Sequence, residues 1–431
     1  MEIPEQDAAH MARAVALAGH GHGTTSPNPV VGCVVVDAGG AVAGEGFHVY
    51  AGGPHAEVVA LAQAGERAKG GTAYVTLEPC DHTGRTGPCS RALLDAGIAR
   101  VVVAVADPSP KAAGGAARLR TGGVAVTMGV LESAAERVNE EWLTYARLGR
   151  SHVTWKFAAT LDGRSAAEDG TSQWITSPEA RADVHLWRAA ADAIVAGIGT
   201  VLSDDPRLTA RPAADPRLAA NAGSPPNAGR AASPDAGRAA SPDAGRAASP
   251  NAGRAAGAGS GLDVGSGAHA DSWGGAHAGD GAGVRAPLRV VVDTEGRTPP
   301  DAKVLDDAAP TLIAVADDIT TDLKAGLLRL PRHGDGLDLQ ALLRELAARE
   351  VVSVFLEGGP TLAGAFLRQG LADRVVAYLA PALLGSGRSA LGAAGVGTIG
   401  HMHRLTFDEI SPIGPDVRLI ARPIAQPGRE Q

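Results

Sequence analysis

Apolar and polar positions divide the chain into two runs of alternating helix and strand signals, separated by a stretch with almost no large apolar residue. In the first run, 6–18 has helical periodicity, and 30–36 and 41–47 read as strands joined by a turn at Asp37-Ala38-Gly39-Gly40. Residues 55–68 read as a helix that starts just after Gly52-Gly53-Pro54. A strand over 72–77 leads into Glu78-Pro79-Cys80, a helix begins at Cys89 and runs to 96, and 100–106 reads as a buried strand. One long helix over 131–148 closes the run, and Gly149-Arg150-Ser151 marks a boundary. The second run opens with a strand at 153–159. A helix follows from Ser177, with Pro178 in its first turn, where a missing N–H is harmless. Then come a strand at 193–197, a loop at 199–206, and strands at 288–293, 311–316, 353–356 and 374–379. Two late strands, 407–410 and 417–421, read as an antiparallel finish. Both runs are of the α/β class.

The interruption, 212–286, lies inside the second run. It carries an eight-residue repeat, Pro226-Asn227-Ala228-Gly229-Arg230-Ala231-Ala232-Ser233, with copies starting at Pro234, Pro242 and Pro250. Its only large apolar residues are Leu218, Leu262, Val264, Trp273 and Val284, too few to offset the entropy of ordering it. The period is far below that of solenoid repeats, so the segment reads as a disordered insertion. Two domains are therefore expected, 1–149 and 150–431, the second interrupted at 212–286. Aromatic residues make up only 3% of the 431 residues, so Val, Leu and Ala must fill the cores. A formal net charge of -8 gives no basic footprint for nucleic acid. No apolar run is long enough to span a membrane, and the acidic, polar start is no signal peptide. Three cysteines make a poor disulfide framework and suit a reducing cytoplasm.

The chemistry is concentrated in His55-Ala56-Glu57, Pro79-Cys80 and Cys89. One imidazole and two thiolates leave tetrahedral Zn²⁺ one open position. Glu57, two residues from the His, is placed to move protons and not to bind metal. This is the constellation of a zinc-dependent nucleobase deaminase, in which activated water attacks an amidine-like ring carbon and the carboxylate relays the proton. Eight residues separate Cys80 from Cys89, where the common form has two, which narrows the match to a subfamily. A surface His-Glu with two structural cysteines is the bland alternative, and four matched positions in strand–helix context weigh against it. Cys33 reads as a small buried hydrophobe and not as a fourth ligand. Gly395-Val396-Gly397-Thr398-Ile399-Gly400 satisfies a dinucleotide-binding pattern but lacks a preceding strand, so it reads as a loop. His401 and His403 have no nearby Cys or carboxylate to complete a metal site and read as surface histidines.

Longer motifs carry a family resemblance. They are Pro27-Asn28-Pro29-Val30-Val31-Gly32-Cys33, Gly44-Glu45-Gly46-Phe47-His48 and the run from Thr76 to Cys89 in the first half. In the second half they are Lys156-Phe157-Ala158-Ala159-Thr160-Leu161-Asp162-Gly163-Arg164, the run from Ser172 to Pro178, the run from Gly199 to Pro206, and Glu357-Gly358-Gly359-Pro360-Thr361-Leu362. In this order they resemble the bifunctional deaminase–reductases of riboflavin biosynthesis. Gly87 stands where that family usually has Pro. The resemblance implies a cytidine-deaminase-like three-layer α/β domain followed by a dihydrofolate-reductase-like α/β domain. It implies hydrolytic deamination of 2,5-diamino-6-ribosylamino-4(3H)-pyrimidinone 5′-phosphate, then reduction of 5-amino-6-(5-phosphoribosylamino)uracil to the ribityl form, with one Zn²⁺ per chain and NADPH as cofactors. The partners it implies are these small molecules and a second copy of the chain in a homo-oligomer.

Residue by residue, the resemblance matches His55, Cys80 and Cys89 to the metal ligands and Glu57 to the proton shuttle. Asn28, His48 and Arg85 match positions lining the pyrimidine–ribose phosphate pocket; as plain structure, Asn28 would cap a turn, His48 end a strand and Arg85 be solvated. Ala158, Trp174, Thr200, Asp204 and Thr294 match nucleotide-contacting positions, and Gly359, Pro360, Thr361, Leu362, Ala363, Gly364 and Ala365 match a pyrophosphate-binding turn. Glycines before a helix let phosphate approach backbone N–H groups. Ser172, Arg188, Leu208, Arg211 and Glu357 match substrate positions, and an arginine pair suits a phosphate through parallel hydrogen bonds. Trp174 reads equally as a core residue, and Arg188 as an exposed helix residue. Two other functions compete: a deaminase with an inactive second half, and a nucleotide sensor built on dead enzyme domains. Asp204, Glu357 and the glycine turn weigh against the first, and the complete set of His55, Glu57, Cys80 and Cys89 against the second.

Overall fold

The computed structural model describes residues 3–82, 87–210 and 286–424. Met1–Ala228 with Val284–Gln431 form one compact unit; the other, Gly229–Gly283, lies wholly outside the described residues. So do Arg85, Arg211 and all of the expected insertion except Ala286.

The elements of the first half are α1 (Glu5–Ala18), β1 (Gly32–Val36), β2 (Val42–Phe47), α2 (Ala56–Ala64), β3 (Thr72–Leu77), α3 (Cys89–Asp95), β4 (Arg100–Val105), α4 (Gly115–Thr121), β5 (Ala125–Met128), α5 (Glu132–Val138) and α6 (Glu140–Leu148). The strands form one sheet in the order β2-β1-β3-β4-β5, antiparallel at β2/β1 and β1/β3 and parallel beyond. The strand period of two sorts the side chains cleanly. Val34, Val36, Tyr74, Val102 and Ala104 face α1, α5 and α6. Cys33, Val35, Ala73, Val75, Val101 and Val103 face α2, α3 and α4. Helices on both faces make three layers. Gly44 and Gly46 let α2 lie close on β2: a Cβ on Gly44 would stand 2.1 Å from the Ala60 carbonyl oxygen, and one on Gly46 2.6 Å from that of Ala56. This close approach carries His55 and Glu57 to the sheet.

The second half contains β6 (His152–Thr160), β7 (Arg164–Ala166), α7 (Pro178–Ala190), β8 (Ala193–Gly197), α8 (Ile198–Asp204), β9 (Leu288–Val292), β10 (Thr311–Ala316), β11 (Gly326–Leu330), β12 (Arg332–His333), β13 (Gly336–Leu337), α9 (Leu339–Ala347), β14 (Ser353–Leu356), α10 (Pro360–Arg368), β15 (Arg374–Ala380), β16 (Arg388–Ser389), β17 (Leu405–Ile413) and β18 (Asp416–Pro423). Nine strands form a second sheet, β11-β10-β9-β8-β14-β6-β15-β18-β17. It is parallel from β11 to β15 and ends in the antiparallel pair expected at the C-terminus. Leu342, Leu343 and Leu346 of α9 and Phe366 and Leu367 of α10 cover one face.

Three expectations are corrected. The helix expected over 55–68 ends at Ala64, because Gly65 adopts φ +54°, and a 3₁₀ turn, Gly65–Ala68, follows. The single helix over 131–148 is two, α5 and α6, broken at Asn139, whose φ of -117° departs from helical geometry. The expected loop over 199–206 is mostly α8: Ile198 and Val201, three apart, bury one helical face that Gly199 and Pro206 conceal in the sequence.

Candidate active sites

His55 is the N-cap of α2, Cys80 follows β3, and Cys89 opens α3. Their ligand atoms all lie within 4.8 Å of one another. His55 Nδ1 stands 3.2 Å from Cys89 Sγ and 3.5 Å from Cys80 Sγ. Zinc bonds of ordinary length to N and S at a tetrahedral angle would give an N–S edge of about 3.5 Å, so the donor set and its spacing fit Zn²⁺. The hydrogen bond to Cys80 raises the His55 pKa. The Cys80 thiol is pulled down to about 4 by its hydrogen bond from Cys89, whose own thiol is pushed up by the same interaction. Binding a cation would deprotonate both thiols.

Glu57, in the first turn of α2, is 3% exposed, and burial raises its carboxyl pKa. A carboxyl so placed exchanges protons near neutrality more readily than an exposed one. His48 stands beside His55, the two ring centroids 5.4 Å apart. His48 Nδ1 donates to the Pro54 carbonyl oxygen at 3.0 Å. That leaves Nε2 to accept from Asn28 Nδ2 at 3.1 Å. Burial lowers the His48 pKa, consistent with this neutral tautomer. The structure therefore brings Asn28, His48, His55, Glu57, Cys80 and Cys89 to one place. Cys33 is fully buried in the sheet, as its surroundings in the sequence imply.

The second constellation gathers where the parallel strands β8, β14 and β6 end, the usual place for a ligand in an open α/β sheet. The acid there is Glu357, directly after β14. Arg188 of α7 forks onto it, with Nη2 2.7 Å from Oε2 and Nε on Oε1, and Nη1 donates to the Thr209 carbonyl oxygen at 3.2 Å. Burial works to raise the Glu357 pKa, but the Arg188 charge prevails and lowers it. The N-caps of α8 and α10 are Gly197 and Gly359, and neither helix has a side-chain cap. A Cβ on Gly359 would face Thr200 Oγ1 at 3.7 Å, and one on Gly197 would face Leu362 at 3.5 Å, so the two helix starts share one glycine-lined surface. Open N–H groups at Thr361 and Leu362 fit a pyrophosphate. Asp204 lies one turn beyond Thr200 on α8 and is exposed. Ala158 is half-buried on β6, and Thr294 follows β9. Pro360, Ala363, Gly364 and Ala365 complete the first turns of α10, with Ala363 buried in the core.

Trp174 is 70% exposed, not in the core, with the Arg181 guanidinium 4.5 Å over its ring. Leu208, at φ +47°, buries its side chain with Ile198 and Val201. Ser172 is half-buried. The 395–400 glycine pattern has no strand directly before it, and His403 Nε2 donates to the Ala394 carbonyl oxygen at 2.9 Å.

Residues 4–105 match the family described as the cytidine and deoxycytidylate deaminase zinc-binding region, and 151–419 match the RibD C-terminal domain. The chain is 39% identical over 418 residues to riboflavin biosynthesis protein RibD of Escherichia coli (strain K12), covering 96% of this chain and 98% of the relative. It belongs to the RibD family.

RibD of Mycobacterium tuberculosis is 41% identical over 398 residues, covering 92% of this chain and 91% of its own. Among solved structures, Acinetobacter baumannii RibD superimposes with a TM-score of 0.74 at 34% identity, over 98% of this chain and 99% of that one. A Thermotoga maritima diaminohydroxyphosphoribosylaminopyrimidine deaminase/5-amino-6-(5-phosphoribosylamino)uracil reductase gives 0.72 at 28% identity, over 97% and 99%. As a RibD protein the chain is a bifunctional enzyme of riboflavin biosynthesis, with a zinc-binding deaminase domain and a reductase domain of a family that uses NADPH. It acts on small molecules, and among the described residues no helix is long and apolar enough to cross a membrane.

The RibD fold also places Lys156 of β6 among these groups, a position to which the sequence motif alone assigns no role. Burial lowers its pKa, and the Glu357 charge acts against that shift. An alternating strand register gives no hint of this neighbour, since β14 comes some two hundred residues later in the chain.

Proposed function

We propose that His55, Cys80, Cys89 and Glu57 carry the deamination, and that Asn28 and His48 orient the pyrimidine. The observation that supports this most is a buried carboxyl standing beside a three-donor cluster and a neutral histidine. Zinc held by His55 Nδ1 and the two thiolates supplies Lewis acidity toward water. Glu57 takes one proton from the attacking water and passes it to the ring nitrogen, then takes the proton of the added hydroxyl and passes it to the amine, which leaves as ammonia as the C–N bond breaks. Asn28 and the His48 ring fix the heterocycle in plane with that carboxylate. Arg85 is assigned to the same pocket.

In the second half, Glu357 and Arg188 bind the ribosyl hydroxyls and phosphate, together with Ser172 and Leu208; Arg211, outside the described residues, is assigned to the same substrate by the family resemblance alone. Ala158, Trp174, Thr200, Asp204, Thr294 and Gly359 to Ala365 hold the nucleotide. NADPH supplies the reducing equivalent. Lys156, close to Glu357, is able to donate a proton as the sugar opens. The domains divide at 1–149 and 150–431, with 212–286 an insertion; the first sheet ends at Met128, the second begins at His152, and Gly149 turns the chain between them at φ +63°. The three free cysteines support a cytoplasmic setting. Self-association is supported by β17, an edge strand that leaves Phe407 56% and Ile410 63% exposed. Ile410→Lys should then lower the mass measured by light scattering to that of one chain.

The deciding experiment is to incubate the protein with the diaminopyrimidinone ribosyl phosphate, with and without NADPH, and identify products by mass spectrometry. Without NADPH the deaminated ribosyl compound should accumulate; with it, the ribityl compound. Ribityl product without prior deamination would overturn the order.

A further inference from the structure

Asn139, where the expected single helix breaks, has an unusual assignment for its side chain. Asparagine at an N-cap ordinarily accepts from the first turn of its own helix. Asn139 is the N-cap of α6, 5% exposed, and makes no such bond. Its Oδ1 instead accepts the backbone N–H of Val30 at 3.1 Å, 109 residues away. Val30 closes the segment that presents Asn28. The neighbouring Val31 carbonyl accepts from His48 N at 2.9 Å, and Asn28 N donates to the Thr25 carbonyl at 2.8 Å. Asn28 and Asn139 border one cavity of about 590 Å³. The Val30 side chain is buried in the adjoining core, and the hydrogen bond from Asn139 fixes its backbone.

The residues after Asn139 are tied to the reductase half. Arg374, at the start of β15, pairs with Glu140 and with Glu141 at 2.8 Å, and Glu140 also holds Arg422 of β18 at 2.8 Å. A continuous set of polar contacts thus runs from the nine-stranded sheet through the start of α6 to the Asn28 segment and His48.

We propose that Asn139 is a positioning residue for deamination, fixing Asn28 over the pyrimidine, and that Arg374 of the reductase half holds it in place. The proposal rests on the reading of Asn28 as a substrate contact. The test uses the full-length zinc enzyme and the diaminopyrimidinone ribosyl phosphate. Asn139→Ala should raise KM for deamination by about tenfold, the scale of one misplaced hydrogen bond, with kcat within about twofold. Zinc should stay at one equivalent per chain, and NADPH-dependent reduction should be unchanged. Asn139→Asp, which keeps the acceptor, should restore KM, and Arg374→Gln should raise it by a smaller factor. If Asn139→Ala does not fold, Asn139→Ser carries the same test, because its hydroxyl is too short to reach Val30. An unchanged KM in the folded variant overturns the proposal, as does a parallel loss of zinc and of both activities, which marks a merely structural role. Asn28→Ala separates the two readings. If it raises KM while Asn139→Ala does not, the inference alone fails; if it leaves KM unchanged, the assignment of Asn28 fails.

Discussion

At the scale of single residues, Glu57 is held in an environment unfavourable for a charge, and α2 fixes its position. Glu57→Gln removes the exchangeable proton and leaves the three ligands intact. Deamination should fall by about 10²–10⁴-fold while zinc content, measured by metal analysis, stays at one equivalent. Cys80→Ser should lose both zinc and deamination. His55, Cys80 and Cys89 are legible in the sequence because metal chemistry dictates donor type, and local strand and helix signals bring the three within reach. Lys156 is not legible in the same way, because its neighbours Glu357 and Arg188 come from distant strands and helices. Leu208 differs again: a family match assigns the position, but only the fold reveals that its side chain is buried with Ile198 and Val201.

At the scale of elements, the strand positions follow from apolar alternation, and the errors fall where a helix is short or interrupted. The seven residues of α8 carry only two buried apolar side chains, so glycine and proline nearby dominate the signal. The break at Asn139 depends on a hydrogen-bond partner in another part of the chain, which no local pattern encodes. The docking of α1 on the sheet makes a testable case. Asp7 is buried, accepts from Tyr74 Oη at 2.9 Å, and takes a fork from Arg100 at 2.8 and 2.6 Å. The Arg100 hydrogen bond holds the Asp7 carboxyl below its usual range, against the effect of burial. A lowered folded-state pKa means stabilisation that is complete above the unfolded value, about 3.9, and lost as pH falls through the folded value. Asp7→Asn should therefore lower stability by about 1–2 kcal/mol at pH 7, discounted because Arg100 remains a third exposed. The gap between the two melting temperatures should close as the pH drops below about 4.

At the scale of the whole molecule, each sheet builds its own constellation, so the two reactions should separate by mutation. Glu57→Gln should still reduce the deaminated substrate with NADPH, and Glu357→Ala should still deaminate. A mixture of the two should restore the full conversion, followed by mass spectrometry, because the intermediate diffuses between molecules. A mixture of folded proteins that stays inactive would mean the intermediate is passed on without release. The strand order carries a consequence for how the molecule comes into being. β14 lies between β6 and β8, so the first strand of the second sheet lacks a neighbour until residues 353–356 arrive. The first sheet needs nothing later than Met128. During synthesis the first half can condense while the second waits with unpaired strands, and long-range pairing of this kind is slow. In pulse-labelling of amide hydrogens during refolding, β1, β3 and β4 should gain protection before β6, β8 and β14, and those last three should gain it together.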